Sequence, residues 1–298
     1  MRRLLKKLLF LCLVFNFAHI NYASNVDLIV FSFNRPLQLY AFLESVYKYT
    51  SVPDSIYVLY RSSNYAYESA YKELKESFGN VCFVKQGNNP RKDFKPLLLK
   101  CFNESSSEYV VFGVDDIIIK DYFDFNACIS FLEQVDAYGF YLRLGKNITR
   151  AYNVHASFAL PPLKSISDDV YLFRFDEGQY DWAYPNTVDM TIYKKSKIKD
   201  FLSQASYSSP NTLEGTWASK ADKGDIGICF GFSKIFNILL NIVQQDWHNP
   251  NENSFNAKQL LDKWNQGLKI DIDCFFKIDN ESPHIKAIPT FTKRKDIV

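Results

Sequence analysis

Two adjacent aspartates, Asp115 and Asp116, directly follow the apolar run YVVFGV at residues 109–114. Such a run predicts a strand buried on both faces, and ligands in open α/β sheets bind beyond the carboxyl ends of the strands. Two neighbouring carboxylates repel each other, and a divalent cation removes that cost. Because Mg²⁺ and Mn²⁺ prefer oxygen ligands and can bridge a diphosphate, the pair predicts a metal site. A turn-initiating Asp followed by a helix-capping Asp is the structural alternative.

The elements that must position this pair alternate between strand and helix. Apolar runs predict strands at residues 26–33, 56–60, 81–84 and 109–114, and helices after residue 36, at 65–78 and at 94–102. This alternation of strands and helices is typical of a doubly wound sheet, so we expect an α/β fold with a mostly parallel central sheet and flanking helices. Neither a GxGxxG motif after the first strand nor a Walker loop is present, so neither NAD nor P-loop chemistry is indicated.

The second half of the chain gives a weaker pattern. It predicts a helix around residues 129–135, strands at 138–144 and 188–193, a loop-rich stretch at 151–181 and a helix at 257–268. Because there is no internal repeat or long linker, we expect a single domain over residues 26–290, followed by a basic tail at 291–298.

Residues 1–25 have the order of a targeting segment. Residues 1–7 are basic, residues 8–18 are apolar apart from Asn16, and small residues follow at Ala23 and Ser24. This is the order of a secretory signal peptide, and the apolar part is too short for a bilayer core of ~30 Å. An uncleaved signal anchor is the alternative. We therefore expect an exported or membrane-associated protein rather than a cytoplasmic one.

The charge of the chain argues against nucleic acid as a partner. The formal net charge is +2, and much of the basic excess lies at the two ends of the chain. A nucleic-acid-binding protein needs a basic stripe through its body, and this sequence has none.

Two segments resemble the nucleotide-sugar half of GT-A-fold glycosyltransferases, particularly the family-2-like group. They are SFNRP at residues 32–36 and SEYVVFGVDD at residues 107–116, and the resemblance covers roughly residues 26–125. It implies a Rossmann-like GT-A fold in which Asp116 is a metal ligand and Asp115 is a ribose or metal partner. Val114 stands where a full acidic triplet has its first Asp, and YRSS at residues 60–63 stands where an acidic residue often follows the second strand.

The same resemblance implies cationic partners for the nucleotide. Asn34 and Arg35 belong to the first segment, and the guanidinium of Arg35 could pair with the diphosphate or stack on the base. Lys95 is a second candidate for the diphosphate. The structural alternatives are an Arg in a helix-start loop and a solvated helix Lys.

The half at residues 126–290 then serves the acceptor, and two carboxylates there are candidate general bases. Glu214 lies in SPNTLEGTW at residues 209–217, and Asp189 lies in TVDM at residues 187–190. Enzymes of the inverting type use such a group to deprotonate the acceptor hydroxyl. The alternatives are a first-turn Glu favoured by the helix dipole and a partnered structural Asp.

The acceptor half also contains a candidate metal ligand and candidate stacking residues. His248, in QDWHNP at residues 245–250, could complete the metal site as a late-loop ligand or could be a surface histidine. Trp182, Trp217 and Trp247 could stack on an acceptor or belong to the core.

Together these residues predict a hexosyltransferase-like glycosyltransferase that depends on Mn²⁺ or Mg²⁺. It would move a sugar from a nucleoside-diphosphate sugar to a hydroxyl of a glycan, lipid or protein, with inversion by a carboxylate base. The alternative is a catalytically inactive, exported binding protein of the same fold, because the acidic triplet is incomplete and nucleotide sugars are scarce outside a bacterial cytoplasm. A nucleotidyltransferase is disfavoured, because the Gly-rich loop after the first strand is absent.

Overall fold

The structure is a computed structural model that describes residues 24–243 and 254–294. Its strands are β1 (Ser24–Phe33), β2 (Pro53–Arg61), β3 (Cys82–Lys85), β4 (Tyr109–Val114), β5 (Ile117–Ile119), β6 (Gly139–Tyr141), β7 (Arg150–Ala151), β8 (Ala156–Ser157), β9 (Lys164–Ser167), β10 (Val170–Arg174), β11 (Thr191–Lys194), β12 (Ile226–Phe230), β13 (Ile235–Ile238), β14 (Leu268–Ile270), β15 (His284–Ile285) and β16 (Phe291–Lys293). Its α-helices are α1 (Pro36–Tyr49), α2 (Tyr65–Ser77), α3 (Pro90–Glu104), α4 (Phe125–Val135), α5 (Lys195–Gln204), α6 (Pro210–Ala218) and α7 (Ala257–Asn265). Short 3₁₀ helices cover Phe175–Glu177, Tyr180–Ala183 and Ile272–Phe275.

A nine-stranded sheet forms the centre of the fold, in the order β3-β2-β1-β4-β11-β6-β12-β10-β9. The pairings β3-β2, β2-β1, β1-β4 and β6-β12 are parallel, and β11 and β10 are the two strands that run against the others. The predicted α/β class with a mostly parallel central sheet and flanking helices is therefore confirmed. Every strand and helix predicted in the first 125 residues is present, with bounds that differ by a few residues.

The residues of β1 explain why the sheet is covered on both faces. Leu28 and Val30 belong to the hydrophobic cluster that contains α1, whereas Ile29 and Phe31 belong to the cluster that contains residues of α3, α5 and α6. All four are at most 4% exposed. Burial of each such side chain contributes roughly 1.5–3 kcal/mol, so the apolar run fixes β1 in the middle of the domain.

A smaller sheet, β15-β13-β5, continues the chain beyond β4. Asn237 of β13 lies opposite Ile117 of β5 on one side and opposite His284 of β15 on the other. Since β5 begins directly after Asp116, this small sheet places Asn237 and His284 beside the end of β4.

The second half differs from prediction in three places. The stretch 151–181 is not mainly loop, because it holds β8, β9, β10 and two short helices. These strands have two to five residues and lie at the far edge of the sheet or in a separate hairpin. They are too short to show a sustained alternation of apolar and polar residues in the sequence. The strands expected at 138–144 and 188–193 are shorter, because the chain turns after Tyr141 and bends before Thr191.

Some predictions lie outside the described residues. These include the targeting segment up to residue 23 and the candidates Trp247 and His248. Within the described ranges, no helix combines the length and the apolar character that a membrane span requires.

Candidate active site

A cavity of about 860 Å³ opens at the carboxyl ends of β1, β2 and β4. The strand ends contribute Phe33, Arg61 and Asp115 to its wall. Further lining residues come from the start of α3, the turn after β6, the loop of the β7–β8 hairpin, the segment 180–189, the start of α6 and the end of β13. The cavity thus joins the two halves of the chain at the edge where an open α/β sheet binds ligands.

Asp115 is anchored on both of its carboxylate oxygens. Oδ2 accepts hydrogen bonds from Ser32 Oγ at 2.8 Å and from the Phe33 amide at 3.2 Å, and Oδ1 accepts from Arg35 Nη1 at 2.9 Å. Burial raises the pKa of Asp115, and the Arg35 charge opposes this. Asp115 therefore ties the end of β1 to the end of β4 and holds Arg35 over both.

Arg35 forms a fork between the two aspartates and the distant Asn241. Its Nη1 also donates to Asp116 Oδ2 at 3.2 Å, and its Nη2 donates to the Asn241 carbonyl. The residue before it, Asn34, has a φ of 54°, which turns the chain sharply out of β1. The repulsion between the aspartates, from which the sequence predicts a cation, is thus already offset by the Arg35 guanidinium.

Asp116 is the aspartate of the pair that suits a metal ion. Its side chain is 17% exposed, against 5% for Asp115. Asn237 Nδ2 donates to Asp116 Oδ1 at 3.2 Å, while the buried Asn237 Oδ1 has no hydrogen-bond partner among the described residues. His284, on the neighbouring strand, also lines the cavity.

By chemical type, Asp116 and His284 suit a cation only when the amide oxygen of Asn237 is added to them. Among the residues that the structure describes, no three His, Cys, Asp or Glu side chains come together as a metal site. A carboxylate, an amide oxygen and an imidazole form a mixed donor set that Mn²⁺ accepts. Asp115, with both oxygens already hydrogen-bonded inside the protein, is poorly suited to join them.

A second charged cluster lies next to the first along the cavity. Arg143, in the turn after β6, donates to Asp181 Oδ1 at 2.8 Å and to Asp189 Oδ2 at 3.2 Å. Asn237 Nδ2 reaches Asp189 Oδ1 at 3.3 Å, so one amide connects Asp116 with Asp189. Burial of Arg143, whose side chain is 4% exposed, makes these partners necessary.

Glu214 is held at the edge of this cluster by the loop before β11. Its Oε1 accepts hydrogen bonds from Thr187 Oγ1 at 2.7 Å and from the Val188 amide at 3.0 Å. Burial, followed by the nearby charge of Asp189, raises the pKa of Glu214 to about 7, although Thr187 and Arg143 act in the opposite direction. A carboxylate with such a pKa can accept a proton near neutral pH.

Local sequence explains the positions of Glu214 and Asp189. Ser209 caps α6 and Pro210 is its first residue, so Glu214 comes after the first turn and is not stabilised as a first-turn acid. Met190, directly after Asp189, has a φ of 50°. A left-handed backbone is unusual for such a residue, and here it bends the chain between Asp189 and β11.

The structure brings Arg35, Asp115, Asp116, Asp189 and Glu214 together around one cavity. It does not bring the other two predicted nucleotide ligands there.

Asn34 hydrogen-bonds Ser63, with Nδ2 donating to Oγ at 2.8 Å and Oδ1 accepting from the amide at 2.9 Å. Lys95 donates to the carbonyls of Ser203 and Ala205 at 2.7 and 2.6 Å, because α3 points it at the end of α5. Neither residue lines the cavity. We therefore withdraw Lys95 as a diphosphate ligand.

The described tryptophans are core residues. Trp182 is 0% exposed and Trp217 is 2% exposed, each within a hydrophobic cluster. Trp182 also donates its indole N–H to the Ile148 carbonyl at 3.0 Å. They are not acceptor-stacking walls, because no face of either ring is open to solvent.

Sequence reasoning missed Arg143, Asp181, Asn237 and His284, and it also missed Arg61 and Arg91 of the cavity lining. Arg143 and Asn237 carried a usable signal, because each interrupts an apolar run, GFYLRLG and IFNILL respectively. A polar group inside a buried segment needs partners, and both residues find theirs at this cavity. Asp181 and His284 lie in segments without such a pattern.

Comparison with known proteins supports the likeness that the two sequence segments indicated. No protein-family model matches the chain. The chain is 28% identical over 197 residues to the bifunctional glycosyltransferase PgtA of Dictyostelium discoideum, covering 60% of this chain. It spans only a quarter of that relative's length (25%).

Two solved glycosyltransferase structures align loosely with the chain. Residues 1–349 of Staphylococcus aureus TarS in complex with UDP align with a TM-score of 0.43 and 12% identity, covering 68% of this chain and 60% of that one. The mannosyltransferase PcManGT of Pyrobaculum calidifontis, in complex with GDP-Man and Mn²⁺, aligns with a TM-score of 0.38 and 11% identity, covering 64% and 51%. Alignments this loose bear on neither activity nor ligands.

Proposed function

We propose that this protein is a glycosyltransferase that moves a sugar from a nucleoside-diphosphate sugar to a hydroxyl group. The observation that carries the proposal is the division of charge inside the cavity. At the end formed by β1 to β4, the charged lining residues are Arg35, Arg61, Arg91, Asp115 and Asp116. At the other end they are Arg143, Asp181, Asp189 and Glu214. The first end has three arginines and two aspartates, and its positive excess suits an anionic donor. The other end has three carboxylates and one arginine, and its negative excess suits proton abstraction.

The donor end offers cations and a flat surface to a nucleotide. The Arg61 guanidinium lies 3.6 Å from the centroid of the Phe33 ring, and both residues line the cavity. Arg35 offsets one of the two negative charges of Asp115 and Asp116, and with Arg61 and Arg91 the three arginines outnumber the two aspartates, which favours the approach of a diphosphate. In this assignment Asp115 is a positioning residue for Arg35 or a ribose partner.

The acceptor end supplies the base. Glu214 takes the proton of the acceptor hydroxyl as its oxygen attacks C1 of the donor sugar, and the C1–O bond to the diphosphate breaks. This displacement inverts C1. Asp189 raises the proton affinity of Glu214, and it is held in turn by Arg143 and Asn237. Asp189 is the alternative base.

The metal ion is a separate part of the proposal. Asp116, Asn237 and His284 would hold Mn²⁺ or Mg²⁺ at the donor end, with His248 as a further candidate outside the described residues. A cation bound there supplies neutralisation of the leaving diphosphate.

The similarity to PgtA supports transfer of a sugar in general terms. The inactive, exported binding protein is the competing proposal. Export or membrane association through residues 1–25 stays a prediction, and so does a glycan, lipid or protein as acceptor.

The first test is the thermal stability of the full-length chain with UDP, GDP, CDP and ADP, with and without Mn²⁺. A ligand that binds only the native state stabilises it by about 2.7 kcal/mol at a concentration of ~100 Kd. We expect one nucleotide to raise the melting temperature. In Asp116→Asn we expect the additional increase that Mn²⁺ produces to be lost. Asp121→Asn is the matched control, because Asp121 is 21% exposed, pairs with Lys234 and lies outside the cavity lining. No shift with any nucleotide in folded protein would contradict the proposal.

A further inference from the structure

Three tyrosines, Tyr152, Tyr180 and Tyr184, line the acceptor end of the cavity and are called the tyrosine wall below. Tyr152 belongs to the loop of the β7–β8 hairpin, Tyr180 is the first residue of the 3₁₀ helix that carries Asp181, and Tyr184 follows that helix. Tyr180 is 46% exposed, and the other two are half-buried. The wall is thus attached to the cluster that holds Glu214, since Asp181 pairs with Arg143.

The backbone of Tyr180 shows that its outward position is imposed by the fold. Its φ is 51°, in the left-handed region that a bulky residue rarely adopts. Burial does not compensate this strain, because nearly half of the residue is exposed, and its ring packs against Phe158 with centroids 5.4 Å apart. Two residues later Trp182 is fully buried. The segment therefore puts Trp182 into the core and holds the Tyr180 ring at the cavity, as strained residues at functional sites do.

The chemistry around the wall favours a sugar ring. Aromatic faces pack against the C–H face of a sugar, and phenol hydroxyls remain available to its polar edge. Asn153 and Asn211 line the same end of the cavity and offer amide donors and acceptors to sugar hydroxyls.

The charges of this end disfavour a lipid phosphate. The Arg143 guanidinium is already paired with Asp181 and Asp189, and Glu214 adds a third carboxylate. An acceptor phosphate would meet net negative charge here. Val154 is the exposed large aliphatic lining residue at this end, whereas the half-buried Leu239, Ile242 and Val243 flank Asn241, which pairs with Arg35. Among the described residues, a long lipid chain therefore has little apolar surface to follow at the acceptor end.

We propose that the acceptor is a carbohydrate whose terminal ring stacks on the tyrosine wall, with one hydroxyl directed at Glu214. This inference rests on the proposed glycosyltransferase function. It narrows the acceptor from glycan, lipid or protein to glycan.

The test uses the full-length protein, the nucleoside-diphosphate sugar whose nucleotide stabilises it, and acceptors of three classes. These are the methyl glycosides of glucose, galactose, mannose and N-acetylglucosamine, then geranyl phosphate, then a serine- and threonine-containing peptide. Transfer is followed by mass spectrometry, and saturation-transfer NMR reports which sugar protons contact aromatic rings. We expect transfer to at least one glycoside and to neither of the other classes.

Three variants locate the contact. Tyr180→Asn removes the ring but keeps a residue that tolerates the left-handed backbone, and it should raise the KM for the glycoside about tenfold. Tyr180→Phe keeps the ring and should leave that KM within about twofold of wild type. Tyr65→Ala removes a tyrosine that is 86% exposed on α2, outside the cavity lining, and should change nothing. The Kd for the nucleotide, measured without acceptor, should be the same in all four proteins.

Two results would overturn the inference while the proposed function stands. One is donor turnover with transfer to geranyl phosphate or to the peptide and to no glycoside. The other is an unchanged glycoside KM in folded Tyr180→Asn. Failure of wild type to bind any nucleoside diphosphate would instead contradict the proposed function, and this inference with it.

Discussion

At the scale of single residues, Asp115 and Asp116 are neighbours in sequence but differ in what their oxygens do. Both oxygens of Asp115 accept hydrogen bonds, from Ser32, Phe33 and Arg35. Asp116 is more exposed and accepts hydrogen bonds from Arg35 and Asn237, at 3.2 Å each. Asp115 therefore serves mainly the structure, and Asp116 is the residue available to a ligand.

This difference predicts unequal losses of stability. Breaking a buried ion pair from one side costs roughly 3–5 kcal/mol, and we expect Asp115→Ala to lower the free energy of unfolding by about 3 kcal/mol, because Asp116 still pairs with Arg35. For Asp116→Ala we expect about 1 kcal/mol, because Asp115 keeps the stronger contact. Urea unfolding of the two variants measures both values. A larger loss in Asp116→Ala would show that the roles are reversed.

The candidate site was predictable from sequence where a residue type was tied to a strand end. Asp115, Asp116 and Arg35 follow buried apolar runs, and the carboxyl ends of adjacent parallel strands meet at one edge. Lys95 shows the limit of this reasoning. Its position in the sequence places it near the site, but the direction of a side chain on a helix depends on packing, and α3 directs Lys95 at α5.

At the scale of elements, the placement of Lys95 gives it a different task. Its ammonium satisfies carbonyls where α5 ends and lies 5.3 Å from the centroid of the Tyr207 ring. Cations near a helix C-terminus stabilise it through these carbonyls and the helix dipole.

We therefore expect Lys95→Met to lower the free energy of unfolding by about 1–2 kcal/mol while leaving the nucleotide Kd unchanged. Lys100→Met, on the exposed face of the same helix, is the control and should stay within about 0.5 kcal/mol of wild type. Chemical denaturation and nucleotide titration of both variants check this. A weakened nucleotide Kd in Lys95→Met alone would restore Lys95 as a ligand candidate.

Most elements of the first half were predictable because they bury long apolar segments, although the short strand β3 does not. Residues of β1 alternate between two cores, and every residue of α1 from Pro36 to Leu43 is buried. By contrast, β10 and β12 are short and become strands through pairing with each other, a contact that links residues 52 to 60 positions apart. Short strands that depend on distant partners leave no local pattern.

At the scale of the whole molecule, the domain places a positively lined end and a negatively lined end in one cavity. The first forms where β1, β2 and β4 end, and the second forms where the chain returns through α6 and the loop before β11. Asn237 connects them, because its amide group donates to both Asp116 and Asp189. A transferase needs this arrangement, since leaving-group stabilisation and proton abstraction must act on one substrate pair at once.

The measurement that tests this account most directly is the pH dependence of nucleoside-diphosphate release from the nucleotide sugar, with water as acceptor, by wild type and Glu214→Gln. Glu214 must be unprotonated to act as a base, and its pKa is raised to about 7. The wild-type rate should therefore fall roughly tenfold per pH unit below 7 and level off above it. Glu214→Gln should be slower by about 10²–10⁴-fold and independent of pH between about 5.5 and 8. A variant that keeps both the wild-type rate and the wild-type pH profile would contradict the central claim.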